Sequence, residues 1–212
     1  MSNPLNPQKA LIFRIVHRDN LRWILDYGLH ARNGKALDPD YRDIGNLDLI
    51  QKRSKRVVEI GPGGTLGDYV PFYFTPFSIM MYNIHTGYGA PRVKNEDIVI
   101  LVSSLFKVLE LGIPFVFTNQ HAYPVMAEYF DDPDDLDEVD WDILNRKDFR
   151  HDPDDPGKKE RYQAEALVWK HLPLEGFLGI CSFNAEVDDW VKTLLSERHL
   201  NVKTVINKGW YF

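Results

Sequence analysis

The chain has 212 residues, 44% of them hydrophobic and 13% aromatic, which suits one domain with a substantial core. No run of 18 apolar residues occurs and the polar segment 1–9 lacks the order of a secretory signal, so we expect a cytoplasmic protein without a membrane span. The single cysteine, Cys181, excludes an intramolecular disulfide and a Cys-rich metal site, and its apolar surroundings favour a buried structural thiol. The net charge is −6, but residues 131–155 hold 12 acidic and 3 basic residues, so a basic cleft elsewhere remains compatible with the sequence.

The chain is predicted to begin with a strand that feeds directly into a short helix. Residues 10–18 (ALIFRIVHR) mix β-branched and aromatic residues with polar ones, which predicts a strand that ends at His17. Residues 19–29 have helical apolar spacing, with Asp19 as the expected N-cap and Gly28 as the expected left-handed C-terminus.

A long loop-rich region and an aromatic strand follow. Residues 30–68 contain many turn residues, and a loop of this length is usually functional or disordered. It carries a basic cluster of Lys52, Arg53, Lys55 and Arg56. Residues 69–87 predict an aromatic strand, a turn at Thr75–Pro76 and a short helix that carries Met80 and Met81.

The second half is also dominated by strands. Residues 97–105 form a continuous apolar run, which is typical of a buried central strand, and 114–123 predict another strand. After the acidic segment we expect strands at 166–169, 177–183 and 201–212 and a helix at 185–199. The sequence therefore predicts an α+β fold built on one twisted, mainly antiparallel, split β-sheet with short helices.

Three polar residues on predicted strands are the candidates for chemistry. Taken singly, His17 is more typical of a partly buried histidine, Tyr73 of a core aromatic and Glu165 of an exposed strand end. In chain order, however, they place a histidine on the first strand, a tyrosine on a middle strand and a glutamate at the start of a late strand. The seven histidines have no metal-ligand spacing, and no nucleophile elbow, P-loop or dinucleotide fingerprint occurs.

This His–Tyr–Glu order resembles the ADP-ribosyltransferase (PARP-like) fold, and the match extends to one family. The chain is similar over nearly its whole length to the DarT family, bacterial toxins that transfer ADP-ribose from NAD⁺ onto a base of single-stranded DNA. The segments that carry the resemblance are LIFRIVHRDNLRWILDYGL, IGNLDLIQKR, GGTLGDYVPFYFTPFSIMMYNIH, DIVILVS, FVFTNQHAY and RYQAEALVW. The RYQAE form is similar to the branch that modifies thymidine, and the resemblance implies a single domain over 1–212.

The resemblance also implies where NAD⁺, a co-substrate rather than a permanently bound cofactor, is held. An element at about 34–56 would wrap the dinucleotide, Tyr73 would stack on nicotinamide, and Glu165 and Arg53 would be the catalytic pair. Arg56 is a nearby alternative to Arg53. The full set of implied NAD⁺ contacts is Val16, His17, Arg18, Gly28, Gly45, Arg53 and Tyr73.

For the DNA side, the resemblance implies a turn-turn recognition loop at about 118–165. Its implied substrate contacts are Met80, His121, Tyr123, Arg56, Arg150, Tyr162 and Gln163. The segment SIMMY lacks the proline that the family pattern places before Met80, which leaves the shape of the base-side turn open.

Glu165 would stabilise the oxocarbenium-like charge that develops when nicotinamide leaves, without a metal. Thymine N3 would then attack, and Arg53 would either accept its proton or stabilise the developing anion. By resemblance, the product blocks DNA replication, and the partner is a cognate antitoxin with a macrodomain. The alternatives are transfer to guanosine, RNA or protein, a relative of the tRNA 2′-phosphotransferases, and a non-catalytic nucleic-acid-binding module.

Overall fold

A computed structural model describes residues 4–212, and an eight-stranded sheet forms its centre. The strands are β1 (Leu11–His17), β3 (Tyr69–Tyr73), β4 (Ile98–Ser104), β5 (Phe115–Thr118), β6 (Tyr129–Phe130), β7 (Glu165–Trp169), β9 (Gly179–Ser182) and β10 (Thr204–Ile206). A small second sheet joins β2 (Leu29–His30) to β8 (His171–Leu172). The order in the large sheet is β10–β9–β4–β1–β3–β7–β5–β6, and only the β9–β10 pair is parallel. The predicted α+β class and mainly antiparallel sheet are confirmed.

The sheet is split between β1 and β3. These two strands share a single register pair, Phe13 with Tyr73, whereas β1 is paired with β4 along its whole length. Beside the split, Nη1 of Arg14 donates a hydrogen bond of 2.8 Å to the carbonyl of Pro71. Proline has no N–H to return to a neighbouring strand. The strands therefore diverge, and side chains from both reach into the opening.

Both faces of the sheet are covered by helices that pack through their apolar residues. On one face, α1 (Leu21–Tyr27) and α7 (Ala185–Glu197) pack buried residues such as Ile24 and Val191 against the strands. On the other face, Met81 and Ile84 of α3 (Ile79–Thr86) pack against β1 and β4. Strand β4 is buried at all seven positions, as its continuous apolar sequence predicts.

Several local predictions are wrong in detail. The region 30–68 contains α2 (Leu47–Arg53), which begins where the Asn46 side chain accepts a hydrogen bond of 3.0 Å from the Leu49 N–H. Asp19 does not cap α1: it lies within a 3-10 turn, where its own N–H donates to Nδ1 of His17. Three short helices were not predicted, namely α4 (Leu105–Glu110), α5 (Trp141–Arg146) and α6 (Lys158–Arg161).

The predicted ends of two strands also change. The expected strand at 114–123 stops at Thr118, and the expected strand at 201–212 shortens to Thr204–Ile206 because the last residues turn into the aromatic packing around Phe212. Gly28 ends α1 with the positive φ expected of a glycine there, +78°, but its ψ of −170° is not that of the predicted left-handed helical turn. A Cβ there would lie 2.6 Å from both the His171 ring and the Leu172 carbonyl. Between residues 4 and 212, none of the helices has the length and apolar character that a bilayer crossing requires.

Candidate active site

Glu165 is the first residue of β7 and one of the few buried acids of the chain. Its side chain is 2% exposed, and its backbone lies opposite Tyr73 on β3. The Glu165 N–H donates to Oγ1 of Thr118 on β5, at 3.2 Å. The carboxylate is therefore fixed between two strands at the edge of the apolar run that follows it.

The carboxylate of Glu165 faces the guanidinium of Arg53, the last residue of α2. Two parallel hydrogen bonds of 2.9 Å and 2.7 Å join them, and the Arg53 side chain is only 12% exposed. The Ala122 N–H also donates to Glu165, at 3.0 Å, and Nε2 of His121 lies 3.8 Å away. A bidentate pair of this kind fixes both partners in orientation as well as in charge.

The electrostatics keep this pair ionised. Burial alone would raise the pKa of Glu165, but Arg53 and then His121 hold that pKa below its usual range. Burial would lower the pKa of Arg53, but Glu165 reverses the effect and raises it. Burial, followed by the charge of Glu165, raises the pKa of the Tyr73 phenol, whereas burial lowers the pKa of His121. At neutral pH the site therefore holds a carboxylate, a guanidinium, a phenol and a neutral imidazole.

Two adjoining cavities open beside the split and together form what we call the cleft. The larger, about 410 Å³, is lined by Arg14, Trp23, Ile24, Gly28, Leu29, His30, Arg32, Ala36, Leu37, Asp38, Tyr41, Asp43, Ile50, Arg53, Leu66, Gly67, Tyr69 and Pro71. The smaller, about 180 Å³, lies over Glu165. Arg14 and Arg53 line both cavities, so an elongated ligand that fills both passes these two cations.

The smaller cavity brings together most of the residues predicted for catalysis and for the base side. It is lined by Gly45, Arg53, Tyr73, Met80, His121, Gln163 and Glu165, all of which the sequence singled out. Gly28 lines the larger cavity instead. Residues more than 100 positions apart in the chain thus converge on one small volume.

Other predicted contacts lie outside both cavities. Val16 and His17 are buried in β1. Arg18 lies 3.5 Å from Asp97, and neither residue lines the cleft. Burial lowers the pKa of His17, so this ring is neutral at pH 7.

On the DNA side, Tyr162 is buried and its hydroxyl donates to the Phe77 carbonyl at 2.8 Å, so we assign it to the core and withdraw it as a DNA contact. Arg150 is exposed and pairs with Asp148 at 2.8 Å, and Tyr123 is half-buried outside the cleft. Arg56 lies beside the phenol of Tyr129, does not line the cleft and does not pair with Glu165.

Sequence reasoning missed Arg14 and Trp23, which line the larger cavity, whereas Tyr41 and Asp43 lie within the predicted 34–56 element without having been singled out. The sequence did contain a signal for Arg14, because a charged residue within an apolar strand is costly to bury without a role. Glu165, at the start of the apolar strand β7, is the same kind of signal. In the part of the chain from residue 4 onward, no group of three or more His, Cys, Asp and Glu residues is arranged to hold a metal ion.

A buried glutamate that pairs with an arginine beneath an elongated cleft, on a split antiparallel sheet, defines the class of ADP-ribosyltransferases. The fold agrees with solved members of that class. The chain superposes on Thermus sp. 2.9 DarT in complex with ADP-ribosylated ssDNA with a TM-score of 0.90, covering 100% of both chains at 32% identity. It superposes on the same DarT in complex with NAD⁺ with a TM-score of 0.86, covering 97% of this chain and 99% of that one at 33% identity.

The chain belongs to the DarT family, whose sequence model, described as ssDNA thymidine ADP-ribosyltransferase, matches residues 13–212. A DNA ADP-ribosyl transferase of Escherichia coli O127:H6 (strain E2348/69 / EPEC) is 52% identical over 212 residues, which span 100% of this chain and 97% of the relative. The protein is therefore an NAD⁺-dependent DNA ADP-ribosyltransferase, and the predicted family, fold and enzyme class are confirmed.

Proposed function

We propose that this chain transfers ADP-ribose from NAD⁺ to N3 of a thymidine in single-stranded DNA, as the toxin of a toxin–antitoxin pair in the cytoplasm. The observation that carries the proposal is the bidentate Arg53–Glu165 pair at the floor of the cleft. In the reaction, the bond between nicotinamide N1 and ribose C1′ breaks and its electron pair leaves with neutral nicotinamide. A bond then forms between C1′ and thymine N3, and the N3 proton is released.

Glu165 is placed to stabilise the ribose as positive charge develops on it. The carboxylate is ionised, nearly free of water and held by three donors, so it needs no reorganisation as the reaction proceeds. Tyr73, opposite Glu165 in the sheet, supplies an aromatic face to the nicotinamide half in the smaller cavity.

Arg53 acts as a fixed cation rather than as a base. Its pKa is raised by Glu165, so loss of its proton is unfavourable, and the guanidinium instead stabilises the anion that develops at N3. His121 lines the same cavity and its lowered pKa keeps the ring neutral at pH 7, so it is an available acceptor for the N3 proton.

The two cavities divide NAD⁺ between them in this proposal. The nicotinamide riboside occupies the smaller cavity, and the adenosine half occupies the larger one, which residues of the 34–56 element help to line. Arg14 lines both cavities and, among residues 4–212, has no carboxylate partner, so it supplies charge to the diphosphate between the two halves. Residues 118–165 contribute the base-side wall through His121 and Gln163.

Mass spectrometry of a short oligonucleotide that contains one thymidine tests the reaction. After incubation with NAD⁺ the mass should increase by one ADP-ribose, and the increase should be absent when Glu165 is replaced by Ala. Parallel incubations with thymidine-free DNA, duplex DNA, RNA and protein separate thymidine transfer from the guanosine, RNA and protein alternatives. Modification of the thymidine-free DNA alone would refute the proposed acceptor.

The antitoxin partner is proposed from the family relation. A macrodomain glycohydrolase expressed with the toxin is expected to restore growth and to remove the ADP-ribose from isolated DNA. Growth rescue without loss of the DNA adduct would instead indicate inhibition by binding.

A further inference from the structure

We propose that Val125 and Met126 form an apolar wedge that packs against a DNA base next to the target thymidine, an inference that rests on the proposed function. Within residues 4–212 these two consecutive side chains are the most exposed large hydrophobics, each with 81% of its surface accessible. They add nothing to the core. Exposed apolar surface becomes favourable only when a partner covers it.

The loop that presents this pair is closed and held at its base. Residues 119–128 connect β5 to β6, where Thr118 is paired with Tyr129. Across the loop, the Asn119 side chain donates to the Glu128 carboxylate at 2.8 Å, and the Glu128 N–H donates back to Asn119 at 3.3 Å. The Tyr129 hydroxyl also donates to a carbonyl inside the loop. The apolar pair is therefore displayed by an organised turn rather than by a free segment.

The same loop reaches the catalytic carboxylate. Ala122 donates its N–H to Glu165 at 3.0 Å, and Val125 follows only three residues later. Three residues span at most about 11 Å of chain, and stacked bases are about 3.4 Å apart, so the wedge lies within reach of the bases that flank the one at Glu165.

Positive charge lies at the base of the loop, which favours a nucleic acid over another occupant. Arg56 lies beside Tyr129 at the end of the loop, and Lys52 and Lys55 precede it at the end of α2. In the described part of the chain these three cations have no ion-pair partner. Single-strand binders combine cations for phosphates with side chains that pack on bases, and methionine is among the residues inserted between base steps.

The test compares two double serine variants that are matched in chemistry and adds a third double variant as a rescue. Val125→Ser with Met126→Ser is expected to raise the KM for a thymidine oligonucleotide roughly tenfold, the scale of one lost base contact, and to leave NAD⁺ binding unchanged. Val205→Ser with Ile206→Ser, an exposed apolar pair on β10 at the opposite edge of the sheet, should keep the wild-type KM. Val125→Ser with Met126→Trp should restore a low KM, because indole packs well on a base.

Abasic oligonucleotides locate the contact. If the wedge packs on one flanking base, removing that base should raise the KM of the wild type for the oligonucleotide but should not raise the KM of the serine variant further. Removing a base at any other position in the oligonucleotide should show no such coupling. A serine variant with the wild-type KM, or losses that add at every position, would overturn the wedge. Absence of any DNA modification by the wild type would instead overturn the proposed function, so the two failures are distinguishable.

Discussion

Replacing Glu165 by Gln is the sharpest test of the catalytic assignment, because it changes charge while preserving shape. The glutamine oxygen can still accept the hydrogen bond from the Ala122 N–H, and the side chain fills the same volume. What disappears is the negative charge that Arg53 and the developing ribose cation both face.

The magnitude follows from the position of that charge. Two unit charges about 4 Å apart interact by about 4 kcal/mol at an effective dielectric constant of about 20. Arg53 lies 2.7 Å from the carboxylate and offsets part of its field. We therefore expect the transition state to lose about 3 kcal/mol, which lowers kcat by about 10²- to 10³-fold.

The assay is the rate of ADP-ribosyl transfer to a thymidine oligonucleotide at saturating NAD⁺, with NAD⁺ affinity measured separately by calorimetry. The affinity is expected to stay within about threefold of wild type, because the interaction that is lost belongs mainly to the transition state. Glu110→Gln, which neutralises an exposed carboxylate on α4, is the matched control and should retain full activity. A Glu165→Gln enzyme whose kcat stays within tenfold of wild type would refute the electrostatic role.

Three further results are expected. Glu165→Gln alone should lower the free energy of unfolding by about 3 kcal/mol, because Arg53 is left without its counter-charge. Urea denaturation should show that adding Arg53→Gln recovers much of this loss. A double variant that is less stable than the single variant contradicts this prediction. Arg14→Gln should weaken the binding of ADP at least fivefold, on the scale of a lost charge-assisted hydrogen bond, and leave the binding of adenosine unchanged. If the affinities for both ligands fall equally, Arg14 supports the fold and does not contact the diphosphate. Burial lowers the pKa of His121 in the native protein below its unfolded value of 6.5. At a pH between the native and the unfolded pKa, the unfolded chain binds the proton and the native chain does not, so the free energy of unfolding should fall as the pH drops through this window. His121→Asn should flatten this part of the profile of stability against pH.

The fold class and the centre of the site are predictable because their signals are local. An aromatic strand with Tyr73 and a glutamate before an apolar run each show in a few consecutive residues. The choice between Arg53 and Arg56 is not local. Both lie in one basic cluster, and only the three-dimensional structure shows that Arg53 is the one that meets Glu165.

The sequence also does not reveal whether an individual aromatic side chain is buried in the core or faces the substrate. Tyr162 lies three residues before Glu165, where a substrate contact is a reasonable expectation, yet the turn after α6 directs it into the core. Helix α2 was also missed. Its sequence contains Leu47, Leu49 and Ile50, but none of its residues is buried, and a cap at Asn46 together with the Arg53 ion pair holds it in place.

The proline at the split limits how β1 and β3 can pair. The Pro71 carbonyl points toward β1, where it accepts a hydrogen bond from the Arg14 side chain. In a β-strand, the N–H of a residue points to the same side as its carbonyl. Proline removes that donor, so one of the backbone hydrogen bonds that would join β3 to β1 cannot form. Every other amino acid at position 71 would supply this donor, so the proline helps to keep β1 and β3 apart at the cleft.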